Sequence, residues 1–244
     1  MEPIFQKNFL VTERDVDCYG RLRPSMILSY AQEVAGVHSN QLTVGYDVLA
    51  QRHMFWAVTR HKVQVSRMPM IGETIRVETW PLPPTRVAYP RSMVAYDEKG
   101  SELFRSISIW VLMDLDTRNM ILPGKSGITV AGTLRGNELT LPTGLPARTL
   151  RSSRERQVCF TDLDRNGHMN NCRYLDWITD LLPSSFHASH ELREFTACYL
   201  TEAREGQELN LQWDFLEDGT LRVDAHRIQQ DKDERVFSAK LLFE

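Results

Sequence analysis

The chain has 244 residues, 42% of them hydrophobic and 25% charged, with a formal net charge of −3. That is enough apolar material for one large core or two small ones, and the acidic balance excludes a general nucleic-acid binder, which needs a basic excess against phosphate. The four cysteines (Cys18, Cys159, Cys172, Cys198) form no C-x-x-C pair and no metal-ligand spacing, and no glycine-rich phosphate loop is present. The opening run MEPIFQKNFLVTERD has no apolar leader, and the apolar stretch 107–113, with Trp110 inside it, is too short to span a bilayer and reads as a buried strand. The expectation is a cytoplasmic protein with free thiols, no integral membrane contact, and no metal or organic cofactor.

In chain order, a first strand leads into Asp15-Val16-Asp17-Cys18-Tyr19-Gly20-Arg21-Leu22. A helix follows, with Met26, Ile27, Tyr30, Ala31 and Val34 at helical spacing and Pro24 suited to its first turn. Ala31, Ala35 and Gly36 are small enough to let that helix approach a sheet. Strands are predicted at 55–65, 74–80, 86–96 and 103–114, each rich in Val, Ile, Phe, Tyr or Trp. The stretch 122–154 is rich in Gly, Pro, Ser and Thr and reads as a connection, with a boundary near residue 145.

The second half repeats the first. Asp162-Leu163-Asp164-Arg165-Asn166-Gly167-His168-Met169 matches 15–22 as D-[apolar]-D-x-x-G-x-[apolar], with every position displaced by 147 residues. A helix follows again (Tyr174, Leu175, Trp177, Ile178, Leu181, Leu182) and must end near Pro183. Strands are predicted at 195–202, 208–215, 221–229 and 235–243. Hairpin turns at 96–100 and 230–234 occupy equivalent places. One helix per antiparallel sheet, twice, is an α+β pattern built by duplication.

The densest reactive cluster is Asp162 to Asn171. Asp164, Asn166 and His168 alternate, and in an extended or turning segment alternate side chains share a face and converge on one site. The N–H groups at the following helix start are candidates to polarise a carbonyl oxygen. At the positions of Asn166 and His168 the first repeat has Tyr19 and Arg21, so chemistry is expected in the second half only. On pattern alone the acidic residues and Asn166 serve equally as turn and cap residues, and a lone histidine is more often structural than catalytic.

The run Asp162-Leu-Asp164-Arg-Asn166-Gly-His168-Met-Asn170-Asn171-Cys-Arg-Tyr174-Leu-Asp-Trp177 closely resembles the active-site segment of acyl–acyl-carrier-protein thioesterases, in their bacterial and plant branches. Phe55-Trp56-Ala57-Val58-Thr59-Arg60, Gly72-Glu73-Thr74-Ile75-Arg76-Val77-Glu78-Thr79-Trp80-Pro81, Arg91 and Ser108-x-Trp110 extend the resemblance over nearly the whole chain. It implies a double hotdog: residues 1–145 an N-terminal repeat shaping the acyl pocket, residues 146–244 a C-terminal repeat carrying the catalysis. The catalytic set it implies is Asp164, Asn166, His168 and, on a following strand, Glu202. The implied partner is acyl carrier protein bearing a fatty acyl thioester, and the implied reaction is its hydrolysis by activated water, which terminates fatty acid synthesis. Plant members place a cysteine after the glutamate; Ala203 stands here, which weakens any thiol-nucleophile reading.

Acyl-coenzyme A is the alternative substrate, and a non-catalytic acyl-thioester-binding hotdog or a dehydratase the alternative function. Arg148, Arg151, Arg154 and Arg156 form a basic cluster that offers a carrier-protein docking patch, although a solvated linker explains them as well. Met26, Ile27, Tyr30, Met54 and Trp56 are candidates to line an acyl tunnel, against the plainer reading of ordinary core. A double hotdog pairs internally what single hotdogs achieve by dimerising, so a monomer or a homodimer is expected.

Overall fold

The computed structural model describes residues 3–229 and 232–244. The chain falls into two compact units, Met1–Pro142 and Thr143–Glu244.

The first unit runs β1 (Phe5–Leu10), a 3-10 turn (Glu13–Asp15), α1 (Pro24–Gln41), α2 (Tyr46–Ala50), β2 (Met54–Val65), β3 (Thr74–Pro81), β4 (Tyr89–Tyr96), β5 (Glu102–Asp114), β6 (Met120–Ile121) and α3 (Pro123–Ser126). Its strands are antiparallel in the order β1-β3-β4-β5-β2, with β6 on β5. Helix α1 starts at Pro24, whose missing N–H costs nothing there. It buries Ile27, Leu28, Tyr30, Ala31, Val34, Ala35 and His38, a stripe at 3.6-residue spacing, toward β1 and β3. Gly36 takes no part in that approach. It is exposed, and a Cβ added there would meet nothing within 4 Å. The 107–113 stretch lies inside β5, with Ile107, Ile109, Val111 and Leu112 buried.

The second unit runs β7 (Ser152–Gln157), a 3-10 turn (Phe160–Asp162), α4 (Arg173–Thr179), α5 (Ser184–Ser189), β8 (Leu192–Tyr199), β9 (Glu208–Phe215), β10 (Leu221–Gln229) and β11 (Lys232–Phe243). The strand order is β8-β11-β10-β9-β7, again antiparallel. The predicted turn at 230–234 includes residues 230 and 231, which lie outside the described residues. Tyr174 of α4 stacks on Phe237 of β11 at 4.4 Å, and Trp177 and Ile178 are buried. Each unit is thus a hotdog, a helix against an antiparallel sheet. No helix among the described residues is long and apolar enough to cross a membrane.

The duplication holds in register. β1 and β7 both have six residues, with starts 147 apart; β3 and β9 both have eight, with starts 134 apart. The second unit is therefore shorter by 13 residues between these strands, and the helix bears most of the loss: α1 has 18 residues, α4 only seven. Pro183 stops any extension, because in a continuing helix its ring would meet the carbonyl of Thr179. Two predicted strands are also shorter than their sequence pattern. β4 begins at Tyr89, after a turn in which Thr85 Oγ1 accepts the amides of Val87 and Ala88. β8 ends at Tyr199, so Glu202 lies beyond the strand rather than on it.

The connecting segment has little regular structure but is bound down. In the first unit Thr133 N donates to Pro81 O at 2.8 Å, and Arg135 pairs with Glu78 and covers the Trp80 ring. Gly132 is required there, since a Cβ would stand 2.0 Å from Pro83 N. In the second unit Arg222 and Arg235 donate to the carbonyls of Pro146 and Leu145 at 3.0 and 3.1 Å.

Candidate active site

The site is built on a loop that one carboxylate closes. Asp164 Oδ1 accepts the amides of Asn166 (2.8 Å) and His168 (3.3 Å), and its own N–H donates to His168 O at 2.8 Å. Gly167 N donates to Asp164 O at 3.0 Å, with Gly167 at φ 74°, a conformation glycine adopts without strain. Leu163 and Met169 bridge across the base of the loop. Asp162, buried beneath it, accepts Cys159 N at Oδ2 and Asn170 N at its carbonyl.

Of the two geometries the alternation allowed, extended or turning, the structure has the turn: Asp164, Asn166 and His168 sit around it. Of the amides at the helix start, those of Cys172 and Arg173 go to Asn170, and in the loop before it those of Asn166, Gly167 and His168 go to Asp164. Helix α4, at seven residues, begins only at Arg173.

The loop nevertheless brings predicted residues together. His168 Nε2 lies 3.0 Å from Glu202 Oε2, although 34 positions separate them in the chain. The imidazole is 12% exposed and the carboxylate 42%, so the pair sits at a surface opening rather than in sealed core. Asn166 is exposed on the turn, its side-chain N–H directed at Asp164 Oδ2 over a long 3.5 Å. Asp164 touches neither His168's ring nor Glu202 in these contacts; it shapes the loop. Two segments are tied directly, since Met169 N donates to Ala203 O at 2.8 Å. Behind them Tyr199 Oη donates to Asn171 O at 3.1 Å, from a cluster with Tyr174 and Phe237. Burial pushes the Tyr199 hydroxyl well above its ordinary value, so it stays a donor.

The first unit carries the same loop without the chemistry. Asp17 Oδ1 accepts the amides of Tyr19 and Arg21 at 2.9 and 3.0 Å, Gly20 N donates to Asp17 O, and Gly20 has φ 75°. In place of the imidazole, Arg21 pairs with Asp17 and lies over the Tyr19 ring. Leu22 N donates to Pro69 O as Met169 N does to Ala203 O, which sets Met68 where Glu202 stands.

The N-terminal domain model of the acyl-ACP thioesterases matches residues 2–122, and their C-terminal domain model matches residues 147–244. The chain belongs to the acyl-ACP thioesterase family. It is 27% identical over 214 residues to the palmitoyl-acyl carrier protein thioesterase of Gossypium hirsutum, covering 82% of this chain and 52% of that protein. It is 22% identical over 227 residues to oleoyl-acyl carrier protein thioesterase 1 of Arabidopsis thaliana, covering 82% and 61%. Both carry the description chloroplastic. The chain spans about half the length of the curated relatives it matches. In fold it is similar to the acyl-ACP thioesterase of Bacteroides thetaiotaomicron, with a TM-score of 0.87 at 24% identity over 99% of this chain and 98% of that one. It is also similar to the 12:0-ACP thioesterase of Umbellularia californica, with a TM-score of 0.84 at 22% identity over 100% and 98%.

In this chain the residue after Glu202 is Ala203, which is buried. Cys172 and Cys198 of the same unit are buried too, and burial pushes the Cys172 thiol up to about 12, far from thiolate at neutral pH. Of the tunnel candidates, Ile27, Tyr30 and Met54 are core, and Met54 packs with Val44, Leu49, Tyr89 and Leu112. Trp56 donates its indole N–H to Val44 O at 2.8 Å. The basic cluster is largely engaged within its own unit. Arg151 pairs with Asp214 through Nε and Nη2, Arg156 pairs with Asp180 and covers Trp177, and Arg154 donates to Asp180 O. Arg148 makes no such contact among the described residues.

Two residues at the site escaped the sequence reading. Tyr199 holds the loop after His168, and Arg227 donates to Glu202 O at 3.0 Å. The one signal for the latter was a strand, residues 221–229, carrying Arg222, Asp224, His226 and Arg227, more charge than a sheet strand usually bears.

Proposed function

We propose that the chain hydrolyses acyl thioesters carried on acyl carrier protein, releasing the free fatty acid. The observation that carries this reading is the 3.0 Å pairing of His168 Nε2 with Glu202 Oε2, where the first unit has Arg21 and Met68 at the equivalent positions and Tyr19 in place of Asn166. Family membership supports it, as do the relatives named as acyl-carrier-protein thioesterases.

The chemistry follows from the residue types. The Glu202–His168 pair takes a proton from water as its oxygen attacks the thioester carbonyl. In this reading the Asn166 side-chain amide donates to the carbonyl oxygen as negative charge develops. The C–S bond then breaks, and the proton held by the pair passes to the leaving thiolate. Asp164 keeps Asn166 and His168 in register and takes no proton. The residue after Glu202 is alanine, so water rather than a thiol is the nucleophile. The division of labour expected from the sequence, acyl pocket in residues 1–145 and catalysis in residues 146–244, and a cytoplasmic location belong to the same proposal.

The test is a hydrolysis profile over acyl-carrier-protein thioesters of graded chain length beside matched acyl-coenzyme A, reading free thiol and free fatty acid. Turnover of the carrier thioesters that disappears in Glu202→Gln and His168→Gln is expected. Binding without turnover identifies an acyl-thioester-binding module, preferential turnover of coenzyme A esters moves the substrate, and water addition to enoyl thioesters identifies a dehydratase.

A further inference from the structure

The geometry points to Arg227 as a positioning residue that holds the backbone of Glu202 so that its carboxylate meets His168. This rests on the reading of Glu202 as part of the reacting pair, and it adds a residue that does not touch that pair's side chains.

Glu202 stands where the sheet lets go. Past Tyr199 the β8–β11 ladder ends, with the amides of Leu200 and Thr201 converging on the single carbonyl of Val236. A side chain on an unladdered turn is aimed only as well as the turn is held. One guanidinium holds this one. Arg227 Nη1 donates to Glu202 O at 3.0 Å and to Gln207 Oε1 at 2.8 Å, while Nη2 pairs with Glu234 across the β10–β11 ladder. Gln207 Oε1 also accepts Arg204 N at 2.9 Å, and Gln207 N donates back to Arg204 O. Arg227 therefore joins both ends of the turn 202–207 to β10. On the other side Met169 N, next to His168, donates to Ala203 O. Glu202 is thus bracketed by a tether to the sheet and a tether to the histidine loop. The planar fork of arginine fixes such an arrangement; an ammonium, a point donor, fixes less of it.

The first unit shows what changes when no carboxylate has to be aimed. There a guanidinium also reaches the equivalent carbonyl and turn residue: Arg67 Nη1 lies 3.4 Å from Met68 O, and its two ends grip Glu73 at 2.7 and 2.9 Å. But Arg67 is the residue immediately before Met68, so it moves with the turn it closes. Arg227 comes from a different strand and refers the turn to the sheet. The sheet-anchored version occurs in the copy that carries Glu202 and His168.

The experiment uses the full chain and the acyl-carrier-protein thioester it hydrolyses fastest. Arg227→Gln, Arg227→Lys, Glu234→Gln and Glu202→Gln are compared for kcat, KM and the ¹⁵N resonances of the His168 ring. Arg227→Gln is expected to lower kcat about ten- to a hundredfold with KM within about twofold, the size of a misplaced reacting group. Its His168 ring resonances should move toward those of Glu202→Gln, a change that loss of stability alone does not produce. Arg227→Lys should recover part of kcat, and Glu234→Gln should leave kcat within about twofold. If Arg227→Gln does not fold, Arg227→Lys decides: wild-type kcat with unshifted His168 resonances overturns the proposal. The same holds for a folded Arg227→Gln with wild-type kcat beside an inactive Glu202→Gln. A fully active Glu202→Gln instead removes the reading of the pair on which the proposal rests.

Discussion

The imidazole of His168 and the carboxylate of Glu202 meet at 3.0 Å although they come from different segments, one on a carboxylate-closed loop and one on the turn after β8. Each loses its meaning without the other. Glu202→Gln and His168→Gln should each lower kcat by about a hundred- to ten-thousandfold, the range of general-base assistance. The double variant should be little worse than either single one, because residues acting as a unit are not additive. Equal activity of wild type and Glu202→Gln in a thiol-release assay removes the assignment.

Asp17 and Asp164 make the same backbone bonds in the two loops, but only Asp164 binds the amides of Asn166 and His168. Asp17→Ala and Asp164→Ala should each cost roughly 1–3 kcal/mol, since each strands amides that the carboxylate accepts. Only Asp164→Ala should lower kcat beyond what its folded fraction explains. Denaturant curves measured beside turnover separate the two effects, and a kinetic defect in Asp17→Ala would count against chemistry confined to the second unit.

His61 of β2 is fully buried, and burial lowers its pKa from 6.5 to about 4. The unfolded chain therefore binds this proton at higher pH than the folded one. Stability from this residue is complete above about pH 6.5 and is lost as pH falls toward 4, by about 3 kcal/mol over that window. His61→Gln should flatten the pH dependence of the unfolding midpoint between 6.5 and 4. An unchanged slope would show that other groups set the acid limit.

Asp224 is fully buried on β10, 2.7 Å from Arg222, itself 3% exposed, and 3.5 Å from Arg235. Desolvation lowers the Arg222 pKa against the opposing pull of Asp224. Removing the carboxylate leaves cations in low dielectric, so Asp224→Asn should destabilise by roughly 3–5 kcal/mol. A replacement of all three by apolar residues should cost less. Chemical denaturation of the single and triple variants tests the order.

Cys18 and Cys159 are exposed, Cys172 and Cys198 buried. A thiol-specific reagent under native conditions should titrate the first pair quickly and the second only on unfolding. Modification of the exposed pair should leave hydrolysis intact. Rapid labelling of Cys172 in the folded protein would contradict its burial and its raised pKa.

Much was legible in the sequence because it depends on local pattern. The repeated D-x-D-x-x-G motif encodes the same Asx-closed loop twice, and Gly20 and Gly167 are where a positive φ demands glycine. Helical spacing from Met26 to Val34 and runs rich in Val, Ile, Phe, Tyr and Trp placed α1 and most strands within a few residues. The limits of that reading have local causes too. Three-residue spacing continues through Leu181 and Leu182, but Pro183 ends the helical pattern and α4 has already stopped at Thr179. Alternation of Asp164, Asn166 and His168 fits an extended segment as well as a turn, and the hydrogen bonds to Asp164 select the turn.

The sequence by itself determined the duplicated α+β plan, the loop chemistry of each copy and the absence of a cysteine after Glu202, since all of these are written in residue types at short spacing. The tertiary structure alone decided that Glu202 faces His168, that the loop amides are already engaged, and that Arg227 and Tyr199 brace the site. Those facts depend on which strand ends lie side by side, and contacts between distant segments leave no periodic trace in the chain.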